Sequence, residues 1–318
     1  MKAIRFYDYG GPEVLKYEDV PDPTPGPGQV LIRTHAIGVN PFETYIRAGN
    51  YGPVPLPNIL GVDAAGIVEA VGDGVTDFAP GQRVYVIGAP GTYAELVLSD
   101  QAKTFPLPES LTFAQGAALG VPYGTAHRAL FHRGKAQAGE TVLIHGASGG
   151  VGTAAVQFAR AAGLTVFGTA GTDKGLTLVR EQGAHQAFNH KDPDYLEKIK
   201  AAAEGNGVEL ILEMLANVNL PKDLDLLAKY GRVVVVGNRG SVEINPRGAM
   251  GKDIDIRGMT LMNATTDDLR RMHAEIGEGL KNGTLTPIVG QEIPLAQAAR
   301  AHEEIMQDGA HGKIVLVP

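Results

Sequence analysis

The sequence predicts an α/β protein in two parts, a β-rich N-terminal unit and a doubly wound parallel sheet, and three observations lead there. A glycine-rich turn, Gly146 to Gly152, joins the apolar run Thr141 to Ile144 to a segment where Val151, Ala155, Phe158 and Ala162 recur at helical spacing. Short apolar runs near Thr141, Leu164, Gln186, Val208, Arg232 and Ile254 alternate with helical patterns, as two mononucleotide-binding halves require. Before them, strand-like runs at Val30 to Val39, Gly66 to Val71, Arg83 to Ile87 and Tyr93 to Leu98 are separated by Gly and Pro clusters.

Composition bounds the function. With 318 residues, 44% of them hydrophobic, the chain is long enough for two domains with their own cores. The absence of cysteine excludes disulfides, thiol catalysis and thiolate metal sites. No apolar run reaches the ~18 residues of a membrane span, and Met1 to Asp8 lacks the apolar core of a signal peptide. A soluble, cytoplasmic protein is the expectation. A net charge of -7 argues against nucleic acid as the main partner, although a local basic patch stays open.

In chain order, the Pro21 to Gly28 cluster is a stiff surface connection, and the alternating pattern begins near Ala117. The turn at Gly146 is a phosphate cradle: a helix N-terminus leaves backbone N–H groups unpaired, and glycines let a pyrophosphate approach them. Gly149 and Gly152 supply the second half of a Gly-x-Gly-x-x-Gly fingerprint, but Ala147 holds the first glycine position. Gly146, one residue earlier, and the Ser148 hydroxyl suggest a roomier turn. The expected ligand is a dinucleotide. Because Val166 to Thr172 offers no acid for a ribose 2′-hydroxyl, NADPH is expected over NADH, with Lys174 in reach of the 2′-phosphate. The tail carries helical patterns at Leu269 to Leu280 and Ala296 to Met306, then a closing strand, Lys313 to Val317.

A set of segments carries a family resemblance. Gly10 to Leu15, Gly38 to Arg47, Gly61 to Gly66, His145 to Gly152, Gly168 to Thr172, Glu213 to Leu220 and Gly231 to Gly237 together resemble medium-chain dehydrogenase/reductases. More narrowly, the chain is similar to zeta-crystallin-like NADPH:quinone oxidoreductases along nearly its whole length. The resemblance implies a GroES-like catalytic domain, residues 1–118 completed by 266–318, with a Rossmann NADP-binding domain at 119–265 and the active site in the cleft. It also implies a homodimer, formed through the edge strand Ile254 to Leu261, or a homotetramer.

Zinc-dependent members of the superfamily place Cys, His and Glu where this chain has Asn40, Val62 and Asp63, so the resemblance implies a metal-free enzyme. Without a Lewis acid the acceptor must already be electron-poor, a quinone or an enone. An enone or alkenal double-bond reductase, or a zeta-crystallin-like RNA-binding protein, are the alternatives.

The family pattern assigns cofactor contacts to Ser148, Gly149, Gly150 and Val151 in the turn, then to Gly171 and His190. Asn219, Val236, Gly237, Asn238 and Arg239 follow, then Met259, Thr260 and Leu261. Tyr45 is expected beside the nicotinamide, orienting the acceptor. Asn40 either contacts the acceptor or fixes the Val39-Asn40-Pro41 turn. Tyr51 and Tyr123 are candidate aromatic walls, with an exposed loop as the alternative for Tyr51. Asp63 either orders its own turn or pairs with a cation.

Overall fold

A computed structural model describes residues 1–318. The N-terminal part contains β1 (Lys2–Phe6), β2 (Lys16–Asp19), β3 (Gln29–Gly38), α1 (Pro41–Arg47), β4 (Asn58–Ile59) and β5 (Asp63–Val71). It continues through β6 (Arg83–Ile87), β7 (Leu96–Asp100), β8 (Thr104–Pro106) and α2 (Phe113–Ala117). The alternating region runs from α3 (Gly120–His127) through β9 (Thr141–Ile144), α4 (Gly150–Ala161), β10 (Thr165–Ala170), α5 (Asp173–Glu181) and β11 (Gln186–Asn189). It is completed by α6 (Tyr195–Ala202), β12 (Val208–Glu213), α7 (Ala216–Leu226), β13 (Leu227–Val235), α8 (Pro246–Met250) and β14 (Asp255–Gly258). The tail adds α9 (Thr266–Lys281), β15 (Val289–Pro294), α10 (Ala298–Glu304) and β16 (Lys313–Val317).

The six strands of the alternating region form one parallel sheet in the order β11-β10-β9-β12-β13-β14. Helices cover both faces, so Val142, Leu143 and Ile144 are fully buried and read as a continuous apolar run. The strand order reverses between β9 and β12, and the crevice beyond their C-terminal ends is where such sheets take ligands.

The tail returns to the first unit. Its strands extend the antiparallel sheet in the order β15-β16-β3-β5-β6-β8, with β7 also on β3. Val315 pairs with Gly38, which brings the last strand beside the residues that open α1. A capping box of Thr265 and Asp268 starts α9. Its buried stripe, Met272, Ile276 and Leu280, joins one core with Tyr85 of β6 and Phe158 of α4. No helix is long and apolar enough to cross a membrane.

One strand starts later than its sequence suggests. Tyr93 to Glu95 pair with β1 instead of opening β7: the Ile4 amide donates to the Tyr93 carbonyl at 2.8 Å and the Glu95 amide to the Lys2 carbonyl at 3.0 Å. Local propensity is satisfied by a different sheet.

Candidate active site

The phosphate turn is built by close approach. A Cβ on Gly152 would lie 2.3 Å from the Gly146 carbonyl oxygen and 2.5 Å from the Ala147 Cα, so only glycine lets α4 start there. Gly146 itself has φ 58, which supplies the tight bend that the fingerprint assigns to its first glycine. The amides of Gly150, Val151 and Gly152 have no backbone acceptor. They are three donors at the positive end of a 12-residue helix.

The Ser148 hydroxyl is not one of those free donors. It donates to the Ala310 carbonyl at 2.6 Å, while the Gly312 amide donates to the Ser148 carbonyl at 2.7 Å. The expected hydroxyl contribution is corrected accordingly: Ser148 ties the turn to the segment before β16.

Around the turn the other expected cofactor positions gather at the C-terminal ends of the strands. Gly171 lies under His190, for a Cβ there would be 2.7 Å from its Nε2. Lys174 is exposed in the first turn of α5, which Thr172 caps by accepting from the Gly175 amide at 3.1 Å. Asn219 donates to the Glu213 carboxylate at 3.2 Å, and the amides of Val236 and Gly237 both donate to the Glu213 carbonyl, at 2.8 and 3.1 Å. The Arg239 amide donates to Asn217 at 2.9 Å, beside exposed Asn238. The Met259 amide donates to the Val235 carbonyl at 3.0 Å, next to Thr260 and buried Leu261.

On the other unit, buried charges anchor α1. Asn40 caps the helix: its amide donates to Glu43 at 2.8 Å, and its Nδ2 donates to Glu43 at 3.2 Å and to Asp63 at 3.0 Å. Its Oδ1 accepts from the Lys313 ammonium, which lies 3.7 Å from Asp63. Asp63 also accepts from the Val121 amide at 3.0 Å, which ties the cluster to α3. A Cβ on Gly150 would sit 3.5 Å from the Lys313 side chain, so the cluster lies directly beside the phosphate turn.

The polar chain continues away from the cleft. Tyr93 donates to Glu43 at 2.7 Å. Arg47 can only donate, so at 3.1 Å the His302 Nδ1 accepts from it and the His302 Nε2–H faces Tyr93 at 3.0 Å. Burial, then the Arg47 charge, pushes His302 down to about 3, which keeps the ring neutral. Burial pushes Glu43 up to about 7 against the pull of Lys313 and the Asn40 amide. Burial also raises Asp63 and lowers Lys313, and the attraction between the two opposes both shifts.

Two candidate acceptor contacts are corrected by this geometry. Asn40 is buried with both side-chain polar atoms engaged, so it fixes the helix start and has no free group for a substrate. Tyr123 is 1% exposed inside α3, packs edge-on against Phe158 and donates to Gln157 at 2.9 Å. It is a core residue, not a wall. Tyr51 is 50% exposed against Phe42, with ring centroids 5.8 Å apart. Tyr45 is half-buried on α1, just past the capping box. Asp63 pairs with a cation, the second of its two expected roles.

Sequence reasoning missed Glu43, Tyr93, His302, Lys313, Glu213 and Asp223. Asn40-x-x-Glu43 is legible as a capping box; a lone lysine opening an apolar strand carries no signal of its partners. The positions related to zinc ligands do not fit a metal. Asn40 already accepts an ammonium, Val62 is aliphatic, and Lys313 places a positive charge against Asp63.

A parallel sheet with three free amides at its switch point, facing a β-rich unit with a buried charge cluster, defines a two-part dinucleotide-binding protein. The alcohol dehydrogenase GroES-like domain model matches residues 26–109 and the zinc-binding dehydrogenase model residues 150–278. Rat quinone oxidoreductase is 53% identical over 100% of this chain and 98% of its own length, and the human protein 50% identical over the same shares. The structure of Escherichia coli quinone oxidoreductase complexed with NADPH covers 100% of both chains, at 31% identity and a TM-score of 0.92. The chain belongs to the zeta-crystallin-like quinone oxidoreductases of the medium-chain dehydrogenase/reductase superfamily.

Proposed function

We propose that this chain is an NADPH:quinone oxidoreductase that works without zinc. The observation that carries the reading is the α4 N-terminus: three unpaired amides, two of them on glycines, and no acid at the end of β10 to repel a 2′-phosphate. When bound, NADPH supplies the reducing electrons. Gly150, Val151 and Gly152 hold the pyrophosphate through their amides, and Lys174 and His190 take the 2′-phosphate. Tyr45 orients the acceptor oxygen. Lys313, Asp63 and Asn40 hold α1, and therefore Tyr45, at a fixed distance from the phosphate turn. With an ammonium where a metal ligand set would be, the chain offers no Lewis acid, and a conjugated acceptor fits the site.

The test is cofactor oxidation, followed with NADPH and with NADH, against a panel of quinones and enones. Turnover with quinones above enones supports the proposal; reduction of enones alone would assign the double-bond reductase instead. The protein works in the cytoplasm as a homodimer paired through β14, with the homotetramer as the larger alternative. An RNA probe that NADPH displaces would reveal a second use of the same cleft.

A further inference from the structure

Beneath the cofactor loops lies a second buried cluster that the proposed chemistry does not use. His145 directly follows β9, Glu213 ends β12 and Asp223 stands on α7, and one polar side-chain atom from each lies within 4.8 Å of the other two. Glu213 and Asp223 are fully buried, and His145 is 3% exposed. His145 Nε2 is 2.9 Å from Asp223 and 3.7 Å from Glu213, while its Nδ1 is 3.3 Å from the Thr169 hydroxyl.

Two oxygens are left over. Glu213 Oε1 accepts from Asn219 and the Leu215 amide, but Glu213 Oε2 and Asp223 Oδ2 have no hydrogen-bond partner. Buried acceptors without donors are costly. A single proton between the two carboxyl groups removes the defect, since it turns one of them into a donor.

We propose that Glu213, Asp223 and His145 hold one exchangeable proton beneath the cofactor loops, and that NADPH binding takes up a proton there. The inference rests on the NADPH site assigned above and adds a linkage to it. Glu213 is the hub of that site: its carboxylate holds Asn219, and its carbonyl holds the Val236 and Gly237 amides. Losing the proton sets two carboxylates against each other below an anionic ligand, so affinity falls as pH rises.

Other titratable and charged groups face the cluster. Burial, then the His145 and Lys191 charges, lowers His190. Lys222 adds positive charge from α7, and Tyr195 faces the two acids from α6, with its own hydroxyl raised first by burial and then by them. Burial opposes the charge on His145, but Asp223 and Glu213 together outweigh it and raise the group. Burial pushes the Glu213 carboxyl up, against the His145 charge and with Asp223 adding to the rise.

The experiment measures the NADPH dissociation constant by fluorescence between pH 6.5 and 8.5, for the wild type, Glu213→Gln and Asp223→Asn, with folding checked by circular dichroism. The wild type weakens by about tenfold across the range, and whichever folded variant is used gives a flat profile. Calorimetry of the wild type in two buffers of different ionisation enthalpy shows proton uptake. Equal slopes in wild type and folded variants, or no proton uptake, would overturn the linkage while leaving the cofactor site intact. A stoichiometric divalent metal that Glu213→Gln loses would also overturn it, because a cation would then stand where the proton is placed. A wild type that fails to bind NADPH at pH 6.5 overturns the functional reading and the linkage together.

Discussion

Lys313, on the last strand, places its ammonium against the Asn40 side-chain oxygen and 3.7 Å from the Asp63 carboxylate, with all three side chains buried. The contact joins the chain's end to its first helix beside the phosphate turn. Removing one partner of a buried pair leaves the other charge uncompensated, at a cost of about 3–5 kcal/mol. Lys313→Met is expected to lower unfolding free energy in urea by that amount, and adding Asp63→Asn should restore most of it. A loss below ~1 kcal/mol in the single variant would show that the pair contributes little.

Glu43 gives the fold a pH signature. Its folded-state carboxyl is pushed by burial from 4.5 up to about 7, so between those values the folded protein binds more protons than the unfolded chain. Stability therefore falls as pH rises through that window, by up to about 3 kcal/mol from this group. Urea unfolding from pH 4.5 to 7.5 should show the decline in the wild type and a flatter profile in Glu43→Gln. Parallel profiles would assign the titration elsewhere.

The phosphate turn separates folding from binding at two glycines. A Cβ on Gly152 meets backbone at 2.3 and 2.5 Å, whereas on Gly149 the nearest atoms are ordinary contacts at 3.5 and 3.6 Å. Gly152→Ala should lose both melting temperature and NADPH binding. Gly149→Ala should fold like the wild type and bind NADPH more weakly, because the methyl stands where phosphate oxygens approach the N-cap. Thermal melts and cofactor titration of both variants decide it.

Which of these features the sequence shows follows from their range. The inner parallel strands β9, β10 and β12 are legible because burial on both faces makes each a largely apolar run, and β16 begins and ends where the sequence places it. Tyr93 to Glu95 mislead because their partners are in β1. Tyr123, between Pro122 and Gly124, reads as an aromatic wall; only its contacts with Gln157 and Phe158 on α4 make the position core. Lys313 and Asn40 are 273 residues apart, and no local pattern encodes their meeting.

Tyr45 tests how much chemistry the protein adds to the cofactor. Quinone reduction places charge on an oxygen already stabilised by conjugation, so solvent can protonate the product after electron transfer. An orienting hydroxyl contributes the ~0.5–1.5 kcal/mol of an ordinary hydrogen bond, about tenfold or less in rate. A general acid contributes roughly 10²- to 10⁴-fold. Tyr45→Phe at saturating NADPH is expected to lose no more than tenfold in kcat. A fall beyond a hundredfold, with NADPH affinity intact, would assign proton delivery to the phenol.

The edge of the parallel sheet provides the final test. β14 pairs only with β13 and closes the strand order on that side, so one row of its backbone groups has no strand partner. Ile256 is 42% exposed on this strand and Met262, just beyond it, 55%. An apolar edge strand of this kind favours pairing with another strand, and a two-fold copy of the same edge is self-complementary. Arg257 does not block it, since it turns inward to donate to the Arg133 carbonyl at 2.8 Å and to Asp255. Light scattering at micromolar concentration should give roughly 67 kDa, twice the 33.4 kDa chain. Ile256→Asp places a pair of like charges across the two-fold axis and should shift the mass toward the monomer without lowering NADPH affinity. A wild type that scatters as a monomer, or an Ile256→Asp variant that keeps the full dimer mass, would move the interface away from β14.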